Sequence, residues 1–174
     1  MQVERQLVIE YREGIFKNRY VGRTFIMPGQ QRRKRSVRQK LNAMSAEFKN
    51  KNVLIVDDSI VRGTTSKEIV QMAKDAGANK VFFTSAAPPV RFPHVYGINM
   101  PNRDELIAHD RTISEIADQL EIDNLVYQSV ENLSRSIIGD SLIEELEMSC
   151  FTGSYITGTV NQEYLNWVEN EYKS

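Results

Sequence analysis

The stretch VLIVDDSIVRGTTS, residues 53–66, sets two adjacent carboxylates, Asp57 and Asp58, at the end of an apolar run and follows them with Gly63, Thr64, Thr65 and Ser66. The two halves favour different chemistry. Ionised carboxylates accept hydrogen bonds and do not donate them, so they suit sugar hydroxyls. They also suit a hard cation such as Mg2+, which takes oxygen ligands and bridges to phosphorylated substrates. A helix that opens on small hydroxyl residues attracts phosphate, through its free N–H groups and its partial positive charge. Gly63 lets the backbone approach an anion closely. A ligand that satisfies both halves carries hydroxyls or a metal at one end and a phosphate at the other, and ribose 5-phosphate fits. The stretch is neither a Walker A loop nor a Gly-x-Gly-x-x-Gly fingerprint. Each feature taken singly also has a plain structural reading, as a capped helix start or turn acids. It is their coincidence in fourteen residues that points to a phosphosugar site.

The surrounding pattern predicts elements able to position such a site. VLIVDD is a continuous apolar run, as in a strand buried on both faces of a parallel sheet. TTSKEIVQMAKDAGA reads as a helix with Ile69, Met72 and Ala73 on its buried stripe and Gly77 as its stop. KVFFTSAA is the next buried strand. Strand, helix, strand in this order predicts a βαβ unit and a parallel α/β sheet, in which ligands bind beyond the carboxyl ends of the strands. Upstream, residues 7–16 read as a strand, and residues 17–36 as a long loop of the kind that often serves as a lid. Residues 36–50 read as a helix with Val37, Leu41, Met44 and Phe48 at helical spacing and Ser36 as N-cap. Downstream, TISEIADQLEI reads as a helix, NLVYQS as a strand, VENLSRSI as a helix, CFTGSYITG as a short β-like piece and NQEYLNWVENEY as a terminal helix.

The 174 residues suit one domain of ordinary size, and the 41% hydrophobic, 26% charged composition is that of a globular protein. The formal net charge is −1, but the eleven Lys and Arg between Lys17 and Lys51 face a single acid, Glu47, a local +10 against −11 elsewhere. Such asymmetry predicts that the basic segment meets an anion. Cys150 is the one cysteine, so no intramolecular disulfide and no Cys-x-x-Cys metal site is expected. No apolar run approaches the roughly 20 residues of a membrane span, and the first residues lack a secretory pattern. The expected compartment is the cytoplasm.

At this point the residues resemble a known family. VLIVDDSIVRGTTS is similar to the phosphoribosyl pyrophosphate (PRPP) signature of type I phosphoribosyltransferases. NRYVGRTFIMPGQQ, SAAPPVRFPHVYGINMP, ELIAH and CFTGSYITG extend the resemblance to the amidophosphoribosyltransferases, from about Tyr11 to the end. The resemblance implies an α/β parallel-sheet type I phosphoribosyltransferase fold with a flexible lid loop over 17–41 and a C-terminal helical tail. On that basis residues 1–139 form the phosphoribosyltransferase domain and 140–174 the tail. The implied reaction is displacement of pyrophosphate from PRPP by ammonia, giving phosphoribosylamine, the first committed step of purine synthesis. Asp57 and Asp58 would hold the ribose hydroxyls and Mg2+. Val61, Arg62, Gly63, Thr64, Thr65 and Ser66 would wrap the 5-phosphate, with Ser59 in the same binding loop. Lys17, Arg23 and Lys40 would meet phosphate or pyrophosphate, with Lys40 matching the family's loop lysine. Phe25 and Ile26 would line the ammonia channel.

The sequence also departs from the family. The glutaminase domain with its N-terminal cysteine is absent, as are the strand, pyrophosphate loop and helix expected before YREGIF, so the chain is expected to be an N-terminally truncated piece. Some members bind an iron–sulfur cluster through scattered cysteines, one pair ending at the position of Cys150. Here Glu147 and His94 stand at ligand positions, and one cysteine cannot hold a cluster, so the cluster-free branch is expected. Arg91, His94 and His109 are read as structural. Expected partners are PRPP, glutamine-derived ammonia and inhibitory purine nucleotides, with homo-oligomerisation in the full enzyme. One rival reading is a non-catalytic PRPP or purine-nucleotide binder. Another is a nucleic-acid module acting through RRKRSVRQK, which has only Tyr20 and Phe25 nearby for stacking.

Overall fold

The computed structural model describes residues 9–17, 41–98, 100, 102–139 and 142–173. In chain order its elements are β1 (Ile15–Lys17), β2 (Leu41–Ala43), α1 (Ser45–Phe48), β3 (Asn52–Asp57), α2 (Thr64–Asp75), β4 (Lys80–Ser85), a 3-10 turn (Arg103–Glu105), α3 (Ile113–Leu120), β5 (Asn124–Tyr127), α4 (Val130–Ile138), α5 (Ser149–Thr152) and α6 (Gln162–Lys173). Strands β3, β4 and β5 form one sheet in that order, with β4 and β5 parallel and Phe83 opposite Leu125. The α/β class and the β3–α2–β4–β5 order follow the sequence pattern.

The chain forms two compact units, one of residues 1–53 with 64–81, the other of 54–63 with 82–174. In the first, β1 and β2 make a two-stranded antiparallel ribbon, with Ile15 opposite Ala43 and Lys17 opposite Leu41. Its buried residues include Phe48, Val70, Ala73 and Val81. Gly14 lies so close to the Phe48 ring that a Cβ there would come within 2.8 Å of it. Two backbone hydrogen bonds, Asn50 N–H to Gly77 O and Asn79 N–H to Lys51 O, join the approach to β3 to the end of α2. Gly77 takes φ +94 there, the left-handed conformation expected of a helix stop.

In the second unit the core is Ile60, Phe83, Val90, Leu106, Ile107, Ala108, Ile116, Leu120, Ile122 and Leu125, with Met148 and Leu165 from the C-terminal part. Helix α3 packs on β5. It begins with a capping box in which the Thr112 hydroxyl accepts from Glu115 N–H and the Glu115 carboxylate accepts from Thr112 N–H.

Five expectations are corrected. Residues 9–14 are not in a strand and β1 is confined to 15–17. The helix expected over 36–50 is a single turn, α1, because Leu41–Ala43 pair with β1 instead; residues 36–40 of that window lie outside the described residues. The β-like piece at 150–158 is helical through Thr152 and is stopped by Gly153 at φ +75. Finally, β3 is buried on one face only: Leu54 and Val56 are exposed, as is Val126 on β5. On α2 the buried positions are Ser66, Glu68, Val70 and Ala73, so the stripe is rotated from the expected one, with Ile69 and Met72 at intermediate exposure.

Candidate functional site

Asp57 is the last residue of β3 and is half-buried, whereas Asp58 is exposed. Their backbone carbonyls are held by the residues that follow β4, with Ala86 N–H donating to Asp57 O at 2.9 Å and Ala87 N–H to Asp58 O at 2.8 Å. Those residues are fixed in turn by Ser85, buried, whose hydroxyl donates to Ala87 O at 2.7 Å. The acids therefore leave the sheet at its carboxyl edge on a braced backbone. Their side chains accept only local donors, Asp58 N–H onto Asp57 Oδ1 at 3.0 Å and the Ser59 hydroxyl onto Asp58 Oδ1 at 3.2 Å. Among the described residues no cation pairs with either. Burial pushes the Asp57 carboxyl above the usual aspartate range and the neighbouring Asp58 charge adds to this, while the hydrogen bond from Asp58 N–H pulls the other way.

The chain then dips inward at Ile60, which is fully buried. Val61 O accepts from Ile107 N–H at 2.9 Å, and Arg62 Nε donates to Glu105 Oε2 at 2.6 Å. Gly63 takes φ +73, and a Cβ there would come 2.3 Å from Ile107 Cδ1. The left-handed backbone favours glycine, and a Cβ would have to displace the end of the Ile107 side chain. In the other compact unit, α2 begins at Thr64 with no acid in its first turn, Thr64 at intermediate exposure, Thr65 exposed and Ser66 buried. A helix start without a carboxylate retains its attraction for an external anion. The signature is thus divided: its acids and glycine belong to one unit, and its hydroxyl residues to the other.

Lys40, Arg23, Phe25 and Ile26 lie outside the described residues, and of Lys17 only the strand backbone is described. Among the described residues no group of three His, Cys, Asp or Glu side chains is arranged to hold a metal ion. Two adjacent carboxylates still fit a cation such as Mg2+, which keeps waters and completes its shell with substrate oxygens. The bracing contacts from Ala86, Ala87, Glu105 and Ile107 were not legible in the sequence, because they join residues far apart in the chain.

The residues read as structural have structural surroundings. Buried His94 presents Nδ1 to the N–H groups of Tyr96 and Ile98, both at 3.3 Å, which makes Nδ1 an acceptor and leaves Nε2 to donate to Glu147 Oε2 at 3.1 Å. Glu147 Oε1 accepts from Ser149 N–H at 2.8 Å. Cys150 O accepts from the N–H groups of Arg91 and Phe92. Burial pushes the Cys150 thiol up to about 11, with the Glu147 charge acting in the same direction, so it is a protonated packing residue at neutral pH. Arg91 Nη1 donates to Ala108 O and Arg111 O, and His109 Nδ1 lies 3.0 Å from Arg91 O.

Comparison with known proteins gives a consistent result. The amidophosphoribosyltransferase of Haemophilus influenzae is 55% identical over 172 residues, 98% of this chain and 34% of that protein. That of Escherichia coli is 53% identical over 170 residues, 97% of this chain and 34% of that protein. Among solved structures, the glutamine phosphoribosylpyrophosphate amidotransferase from B. subtilis complexed with ADP and GMP superposes with a TM-score of 0.73 and 42% identity, over 88% of this chain and 34% of that one. The chain therefore spans about a third of the length of the relatives it matches. No protein-family model matches it. Among the described residues no helix is long and apolar enough to cross a membrane.

Proposed function

We propose that this chain, which belongs with the amidophosphoribosyltransferases along nearly its whole length, carries the PRPP-binding part of an enzyme that transfers the phosphoribosyl group to ammonia and releases pyrophosphate. The observation that supports this most is the end of β3. Asp57 and Asp58 lack a cationic partner among the described residues, and they are followed by a left-handed Gly63 and a helix start without an acid.

In this reading Asp57 and Asp58 accept the ribose 2- and 3-hydroxyls and hold Mg2+. Ser59 and residues 61–66 bind the 5-phosphate. A carboxylate pair beside the ribose stabilises the positive charge that develops on the ring as pyrophosphate leaves. Mg2+ bound there supplies charge neutralisation for the departing pyrophosphate. Lys17, Arg23 and Lys40 engage phosphate or pyrophosphate, and Phe25 and Ile26 line the path of ammonia. The pairing of Lys17 with Leu41 supports a loop role for the intervening residues, because it ties the two ends of that segment together. In this reading the protein is cytoplasmic and, in the full enzyme, a homo-oligomer supplied with ammonia by a glutaminase domain.

Calorimetric titration of PRPP, with and without Mg2+ and with ribose 5-phosphate as comparator, tests the reading. Mg2+-dependent binding of PRPP, tighter than that of ribose 5-phosphate, is expected. Equal or absent binding of the two would remove the proposal. A second reading, a purine-nucleotide-binding module, is favoured by the ADP and GMP in the B. subtilis relative's structure. Binding of AMP or GMP by a chain that turns over no PRPP with ammonia would select it.

A further inference from the structure

The end of the 3-10 turn and the residues that follow it touch the candidate phosphate loop three times within residues 105–107. Glu105 takes the Arg62 Nε–H at 2.6 Å, Ile107 N–H donates to Val61 O at 2.9 Å, and the Ile107 side chain packs against left-handed Gly63, where a Cβ would come 2.3 Å from its Cδ1. All of these residues belong to one compact unit. We propose that Glu105 and Ile107 are positioning residues that hold residues 61–63 in the conformation able to receive the 5-phosphate. This rests on the phosphoribosyl reading above.

The segment is built as a fixed platform. Asn102 Oδ1 caps its turn by accepting from Asp104 N–H at 2.9 Å, and Leu106 N–H closes the turn onto Arg103 O. Arg103 Nε is held by Glu169 Oε1 at 2.5 Å. Leu106, Ile107 and Ala108 are buried, and their carbonyls accept from the Arg111 and Arg91 guanidinium groups. A loop that binds an anion through backbone N–H groups gains affinity when those groups are fixed before the ligand arrives. A charge-assisted bond to Arg62 and a side chain wedged beside a left-handed glycine are two independent means of fixing it.

The test uses Glu105→Gln and Ile107→Ala, with Glu115→Gln in the α3 capping box as a variant whose effect is structural only. The readouts are exchange of the residue 107 amide, which reports its bond to Val61, together with affinities for PRPP–Mg2+ and for ribose 5-phosphate. Faster exchange is expected in the first two variants, with a roughly tenfold loss of affinity that is the same for both ligands, because the fault lies at their shared 5-phosphate end. Glu115→Gln should lower the melting temperature and leave exchange and affinity unchanged. Unaltered exchange in both loop variants overturns the proposal, as does faster exchange with unaltered affinity. If the unmodified chain binds neither ligand, the phosphoribosyl reading falls, and exchange alone decides whether residues 105–107 hold the loop.

Discussion

Asp57 and Asp58 at the end of β3 and Glu147 beside His94 are carboxylate sites in the same compact unit, and they are satisfied to very different degrees. Glu147 spends one oxygen on a histidine N–H and the other on a backbone amide, in a setting that also fixes Cys150 and the 91–92 backbone. The aspartates have braced main chains but side chains that, among the described residues, meet only each other's neighbourhood. A carboxylate whose acceptor capacity is used up holds structure together, whereas one whose backbone is fixed and whose oxygens remain open is prepared for something outside the chain. The same distinction separates His94, whose two ring nitrogens are both occupied, from a catalytic base.

The comparison can be broken most directly at the aspartates. Asp57→Asn combined with Asp58→Asn should abolish Mg2+-dependent PRPP binding, a loss of a hundredfold or more by titration, with a melting temperature close to that of the unaltered chain; retained affinity would end the assignment. Gly63→Ala should act on both stability and binding. The left-handed backbone and the clash with Ile107 should cost about 1–3 kcal/mol in denaturant unfolding, and PRPP affinity should fall with them.

Glu147→Ala should show the opposite signature to the aspartate pair. Leaving the His94 and Ser149 donors without their acceptor should cost about 1–3 kcal/mol, seen as a lower melting temperature at unchanged ligand affinity. The smallest effect concerns pH. The folded-state acidity of Asp57 is weakened, so the folded chain binds that proton more tightly than the unfolded chain does. Its contribution to stability is present below the ordinary aspartate pKa of 3.8 and is lost as pH rises through the raised folded value. Melting temperatures of the chain and of Asp57→Asn across that window should therefore converge on one side and diverge on the other, while Mg2+-dependent binding should strengthen as the carboxyl ionises.

Much of the fold and half of the site were legible in the sequence, for reasons of range. β3, α2 and β4 were readable because each carries its own periodicity and its own stop, Gly77 included. The strand-end position of the aspartates and the left-handed turn at Gly63 were readable because each is set within a few residues. The window around Leu41 misled, because apolar residues at helical spacing were outweighed by pairing with Ile15–Lys17, 28 residues earlier in the register Ile15 to Ala43 and 24 in the register Lys17 to Leu41. The apolar run of β3 implied burial on both faces, yet alternate residues face outward, and a run without polar interruptions cannot show which face is covered. Glu105 and Ile107 carried no local signal at all: an acid in a turn and an isoleucine in an apolar run acquire their role only when the fold brings them 43 and 46 residues back along the chain, to Arg62 and Val61.

The β1–β2 ribbon has a consequence in chain statistics. Its register joins Lys17 to Leu41, so the 23 residues between them begin and end at one place. Bringing the ends of such a segment together from an open chain costs about 3 kcal/mol on the scaling (3/2)RT ln n, and here that cost is met when the domain folds. The ribbon therefore acts as a stem, in the sense used for nucleic-acid hairpins, and substitutions that weaken its pairing at Ile15 or Ala43 should lower the melting temperature by releasing that closure.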